Sequence, residues 1–197
     1  MALRIEYNKT ALQAFEKNLK IREKALPTLQ SKEAALRQEV QKARQEVTRR
    51  QEQLRQALAQ YQQLGALWIE FEQNLLEIGP ITTQTRRIAG VKIPVLESLT
   101  LQLRPFSLFN RPAWFLEGVK QLERLLYLQT EVQVWQESEN ILEQARKKAT
   151  QKVNLYEKVQ IPAYQKAILK IKRYLEDEDN LSKAAQKIVK QRIAQAP

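Results

Sequence analysis

Cysteine and histidine are both absent from these 197 residues. Without cysteine no disulfide framework can form, which fits a reducing compartment. Without histidine the chain lacks the commonest general base and the commonest metal ligand. Only 4 glycines and 7 prolines punctuate it, so turns are few. Aromatic residues make up 7%, too sparse for a broad globular core. No stretch approaches the roughly 20 apolar residues that span a bilayer. The opening "MALRIEYNKT" has no apolar run of a signal peptide. The expectation is a soluble, cytoplasmic protein with no membrane insertion of its own. Neither GxxxxGK nor GxGxxG occurs, and no residues have metal-ligand spacing. Catalytic, cofactor-binding and metal residues are therefore not expected. The run Glu176-Asp177-Glu178-Asp179 splays around a helix, where only residues three or four apart share a face.

What is present is charge on helix-forming residues. Lys, Arg, Asp and Glu make up 28% of the chain, and the formal net charge is +11. A basic balance of this size points to an acidic partner surface. Residues 1–60 carry 13 basic and 7 acidic side chains, residues 61–141 carry 7 and 9, and residues 142–197 carry 13 and 6. The positive excess thus sits at the two ends of the sequence.

The first arm, residues 1–78, reads as a heptad helix. Counting by sevens from Leu12, one seam position holds Leu12, Leu19, Leu26, Glu33, Val40, Val47, Leu54, Tyr61, Trp68 and Leu75. The other holds Phe15, Arg22, Leu29, Leu36, Ala43, Arg50, Ala57, Leu64, Phe71 and Ile78. Only Glu33, Arg22 and Arg50 are not apolar. A 3.5-residue repeat keeps one seam towards a partner helix, and a stripe this narrow needs a partner to bury it. Asn8 or Thr10 is expected to cap the start and Gly79-Pro80 to end the helix. Such a helix is a rod on the order of 100 Å long. Pro27 is expected to bend or divide it locally.

Residues 79–114 are a different material, with two of the glycines and four of the prolines. Alternation over "IAGVKIPVLESLTLQLRP" predicts two short strands, about 88–96 and 99–106, in a small hairpin packed on the helices beside it. Pro94 confines its strand to an edge. Helical spacing resumes over 115–197, through Val119, Leu122, Leu126, Trp135, Leu142, Ala149, Val153 and Tyr156. Beyond Pro162 the stripe continues in a shifted register through Tyr164, Ile168, Ile171 and Leu175. The acidic run is expected to break this helix and Asn180 to cap a last one. The fold class is therefore mainly all-α: a long antiparallel two-helix coiled coil with a small β-hairpin-containing insert at its base. Trp68 and Trp135 are expected to pack in the seam. So are Leu12, Phe15, Leu19, Leu26, Leu29, Leu36, Val40, Val47, Leu54, Val153, Ile168, Ile171 and Leu175.

In order and motif the chain resembles the D subunits of the V/A-type (vacuolar-type) ATPases, the central rotor shafts. The resemblance is carried by Gly90, Val91, Lys92, Ile93 and Pro94 in the insert. In the return arm it is carried by Val153, Asn154, Glu157, Val159, Ile161, Pro162, Ile171, Lys172, Leu175 and Glu176. "NKTAL" at 8–12 is similar to the family's entry motif, while Ala25 and Pro27 depart from the first arm's pattern. The resemblance implies a non-catalytic shaft without cofactors. It would stand inside a hexamer of A and B subunits, hold the F subunit, rest on the C subunit and turn a membrane ion-translocating ring. It also implies contacts to the hexamer from exposed cations, of which Lys20, Lys32, Lys166, Lys170, Lys172 and Arg173 are the candidates. Neither nucleic acid nor membrane would then be a direct partner. Composition by itself leaves open a cytoplasmic basic coiled-coil module that binds nucleic acid or bridges proteins.

Overall fold

The computed structural model describes residues 5–62, 75–105, 109 and 112–194. In chain order these form α1 (Lys9–Gln62), β1 (Leu76–Ile88), β2 (Val91–Leu103), α2 (Phe115–Asn154), a π-helical segment (Leu155–Gln160) and α3 (Ile161–Ala194). They divide into two compact units. One holds the chain up to Glu33 and from Ala149 onward; the other holds Ala34–Lys148.

Helix α1 begins where its capping residue dictates. Asn8 Oδ1 accepts the Ala11 N–H at 2.6 Å, satisfying a donor that the first turn cannot. From Leu12 to Ala57 every heptad seam position is buried or half-buried. Leu36, Val40, Ala43, Val47 and Ala57 are the most deeply buried of them. Pro27 lies inside α1 and does not divide it. Its ring is exposed, and the missing N–H costs one backbone bond in a helix held by its seam.

In the first unit the opening part of α1 pairs antiparallel with the return arm. Tyr7 meets Tyr174 with ring centroids 4.9 Å apart, and Phe15 meets Tyr164 at 5.5 Å. Lys172 Nζ lies 2.8 Å from Glu16 Oε1, and Thr150 Oγ1 donates to Glu33 Oε1 at 2.9 Å. The core of this unit is Tyr164, Ala167, Ile168 and Ile171, the last with no exposed surface.

In the second unit the latter part of α1 pairs antiparallel with α2. Arg44 bridges to Glu139 at 3.0 Å, and Arg50 Nε stands 3.6 Å from Glu131. The β-hairpin packs on this pair. Ile93 is 2% exposed, and Ser138 Oγ donates to the Pro94 carbonyl at 2.6 Å. Leu75 is not helical; it forms a small core with Phe115 and Val119.

The insert differs from the expected one in its boundaries. The strands span Leu76–Ile88 and Val91–Leu103, so the turn is Ala89-Gly90. Gly79-Pro80 does not end a helix; it sits within β1, where the register steps between Ile78 and Ile81. One extra residue there makes a bulge, the place in a strand that tolerates a residue without N–H. A Cβ on Gly79 would stand 2.9 Å from the Thr100 carbonyl oxygen, so the close approach of β2 requires glycine. Ile78, assigned to the helical seam, lies on β1 and is half exposed. At the turn Ala89 has φ 49° and Gly90 φ 80°. Positive φ at both central residues is the two-residue turn that matches strand twist. Alanine is strained there, and Ala89→Asn is expected to raise stability by about 1 kcal/mol in denaturant unfolding.

The return arm also departs from expectation at the acidic run. Helix α3 passes through Glu176–Asp179 and Asn180 without a break. All five of those residues are exposed, so water solvates the carboxylates and the helix continues.

Candidate functional site

The three polar residues that break the apolar seam of α1 each meet a specific partner. The Arg22 guanidinium lies 4.5 Å from the Tyr164 ring centroid, and its Nε donates to Gln160 Oε1 at 2.7 Å. Glu33 accepts from Thr150, as above. The Arg50 guanidinium lies 5.0 Å from the Trp135 ring centroid and pairs with Glu46 on its own helix. Trp135 therefore serves as a stacking platform as well as packing beside the seam. Trp68 lies outside the described residues, as do Leu64 and Phe71, and the side chain of Tyr61 is likewise not described.

Ion pairs link the helices of the second unit along their rim. Arg44 reaches Glu139 and Glu143, and Arg146 closes on Glu143 at 2.7 Å. The Arg146 hydrogen bond holds the Glu143 carboxyl below its ordinary value. The charges of Arg146, Arg44 and Lys147 act in the same direction, and partial burial acts against them. A depressed carboxylate contributes stability above the unfolded value and loses it as pH falls through the folded one. Thermal melts between about pH 6 and 3 should show a smaller acid-side loss for Glu143→Gln than for the unaltered chain.

Of the candidate hexamer contacts, Lys20, Lys32, Lys166, Lys170 and Arg173 are exposed. Lys166, Lys170 and Arg173 recur at i, i+4 and i+7 on α3, so they share a face. Lys172 is also exposed, but its ammonium is engaged by Glu16. The seam candidates Leu12, Phe15, Leu19, Leu26, Leu29, Leu54, Val153 and Leu175 are half-buried, and Leu36, Val40, Val47, Ile168 and Ile171 are buried.

The motif residues fall in two places. Gly90 is at the hairpin turn, Val91 opens β2 and the Pro94 carbonyl takes the Ser138 hydroxyl. Val153 and Asn154 close α2, Glu157 lies in the π segment, and Ile161 and Pro162 open α3.

Two exposed surfaces belong to no motif. From Glu176 to Ala194 every described residue is exposed. Leu181, Ala185, Ile188, Val189 and Ile193 make an apolar stripe there, flanked by Lys183, Lys187, Lys190 and Arg192. Near the start of β1, Ile78, Ile81 and Leu103 are each more than two-fifths exposed beside the Glu77–Arg104 ion pair. Helical spacing makes the first visible in the sequence; the second depends on which strand residues face outward. Among the described residues no helix is long and apolar enough to cross a membrane.

Across each helix pair, Arg22, Glu33, Arg44 and Lys172 are engaged by side chains of the facing helix. Known proteins match the chain along nearly its full length. The D subunit of the V-type ATP synthase of Borreliella burgdorferi is 26% identical over 190 residues, covering 95% of this chain and 94% of that protein. The subunit of the same name from Chlamydia pneumoniae is 26% identical over 198 residues, 98% of this chain and 95% of the relative. That from Chlamydia muridarum is 27% identical over 200 residues, 99% and 98%. The family model described as the ATP synthase D subunit matches residues 11–191. With a match that runs from the first heptad of α1 to the last turn of α3, the chain belongs to the ATP synthase D-subunit family.

Proposed function

We propose that this chain is the central-stalk rotor subunit of a V/A-type ATPase. It couples ATP hydrolysis or synthesis in the A/B hexamer to rotation of the membrane ion-translocating ring. The observation that carries the reading is the family match over 11–191 on a chain whose α1 keeps one heptad register, buried or half-buried at every seam position, from Leu12 to Ala57. A seam of this kind stiffens a helix pair, and stiffness is what a torque-bearing element needs. In this reading the chain performs no chemistry. It meets the successive A–B interfaces through exposed cations such as Lys20, Lys32, Lys166, Lys170 and Arg173. Unequal contact energy at each rotational position then favours a different nucleotide state, which is coupling between distant sites. The F and C subunits are the partners at the other levels, and the complex is what brings the chain to the membrane.

The test is reconstitution with purified A and B subunits. Because the chain has no cysteine, one engineered cysteine takes a bead or dye at a single site. ATP-driven, unidirectional rotation of that probe is the expected result. The net charge of +11 favours one competing reading, a basic coiled coil that binds nucleic acid. Salt-sensitive binding to random DNA, with no affinity for the hexamer, would replace the rotor reading by that one.

A further inference from the structure

The return arm contains one residue more than its partner. Leu142, Ala149 and Tyr156 follow one another at intervals of seven, and all are buried or half-buried. Tyr164 and Ile171 are also seven apart and buried. Between Tyr156 and Tyr164 the interval is eight. On the facing helix no such step occurs: the seam of α1 keeps its alternation of three and four from Leu12 to Ala57. The surplus residue is therefore not matched across the pair.

The π segment Leu155–Gln160 falls in that interval of eight. A π turn closes on the fifth residue instead of the fourth and so takes in one residue more than an α turn. The Ile161 N–H donates to the Tyr156 carbonyl, five residues back. Pro162 follows directly and has no N–H to return to Lys158, so the α pattern cannot close there. The wide turn is thus held at this place by the sequence.

The facing helix is weakened at the same level. Arg22 reaches Gln160 and Glu33 reaches Thr150, so residues 22–33 of α1 lie opposite 150–160. Pro27 lies within that window and lacks its backbone donor. Arg22 then joins the two helices at the end of the π segment. It donates to Gln160, stacks on Tyr164 and is held from behind by the Asn18 carbonyl, which accepts from its Nη1 at 2.9 Å.

We propose that this level is a latched rotation joint: the π turn stores one surplus residue and Arg22 is its latch. When the surplus residue passes along the helix, the turn it crosses rotates by about 100°, one residue's angle. α1 keeps its seam throughout. The joint goes beyond the rotor reading and does not need it, because its tests use the full chain alone.

The latch is tested by Arg22→Leu, which removes the latch and places an apolar side chain on the seam. Hydrogen exchange followed by mass spectrometry should show amides of 155–161 exchanging at least tenfold faster. Peptides from 36–57 and 130–145 should be unchanged, which a general loss of folding would not allow. Unaltered exchange at 155–161 would overturn the latch. The surplus residue is tested by deleting Lys158 in a Pro162→Ala background and coupling the Glu16 carboxylate to the Lys172 ammonium with a carbodiimide, a zero-length cross-link that fits their 2.8 Å contact. The expected result is slower exchange over the joint with the 16–172 cross-link still forming as in the unaltered chain, since the downstream seam keeps its register. Loss of that cross-link, in a chain that retains its helix content, would show that the residue is not surplus. If the deletion chain does not fold, the Arg22→Leu exchange result decides the proposal.

Discussion

Ile171→Asp is expected to unfold the first unit or bring it close to unfolding. Ile171 has no exposed surface and sits with Tyr164, Ala167 and Ile168 against α1. Truncating a buried isoleucine to alanine costs about 2–5 kcal/mol. Aspartate adds an ionised carboxylate in an apolar seam, which raises the cost further unless the group takes up a proton. Net stabilities of about 5–15 kcal/mol leave little margin for such a loss. For a chain of this size about 4 kcal/mol lowers the melting temperature by about 8–16 °C. Circular dichroism melts measure it. The control is Leu181→Asp, at a residue 72% exposed on the same helix, which should shift the melt by under about 0.5 kcal/mol. A wild-type melt for Ile171→Asp would mean that the α1–α3 seam does not hold this unit together.

The second large effect concerns coupling and leaves the fold alone. Reversing Lys166, Lys170 and Arg173 together to Glu changes the formal charge by two at each position, from +11 to +5. All three are exposed, so stability should move by less than about 1 kcal/mol. Lys172 is left in place because its ammonium binds Glu16 within the chain. If that cationic face meets the A/B hexamer, the triple variant should lose at least about tenfold in rotation rate or affinity at low salt, equivalent to about 1.4 kcal/mol. Exposed charges are screened beyond about 10 Å at 0.1 M salt, so the deficit should shrink as salt rises. Wild-type rotation at every salt concentration would remove this face from the coupling mechanism.

These two experiments separate the residues that make the fold from those proposed to meet a partner. The first kind was legible to a large degree. A 3.5-residue repeat is a local property, and burial from Leu12 to Ala57 follows it residue by residue. A cap at Asn8 or Thr10 was legible for the same reason, since it concerns one turn of backbone, and the structure assigns it to Asn8. The cations were legible only as types. Lys170 and Lys172 look alike in the sequence, and it takes the position of Glu16 on the facing helix to tell them apart.

The strands were the least legible part. "TTQTRR" in β1 carries no apolar alternation, because its side chains are exposed. The pairing partner in β2 is what makes it a strand. The same dependence explains Gly79-Pro80. A glycine followed by proline ends a helix or makes a bulge equally well, and the approach of Thr100 decides between them.

By itself, then, the sequence determined the mainly helical class, the spacing buried along α1 from Leu12 to Ala57, the presence of a hairpin and the change of phase near Pro162. Each of these is written in spacing along a single stretch of chain. The tertiary structure decided where the strands pair, which seam-breaking arginine meets which aromatic ring, and that Arg22 stands opposite the end of the π turn. Those depend on distances between residues far apart in sequence, and no local pattern encodes them.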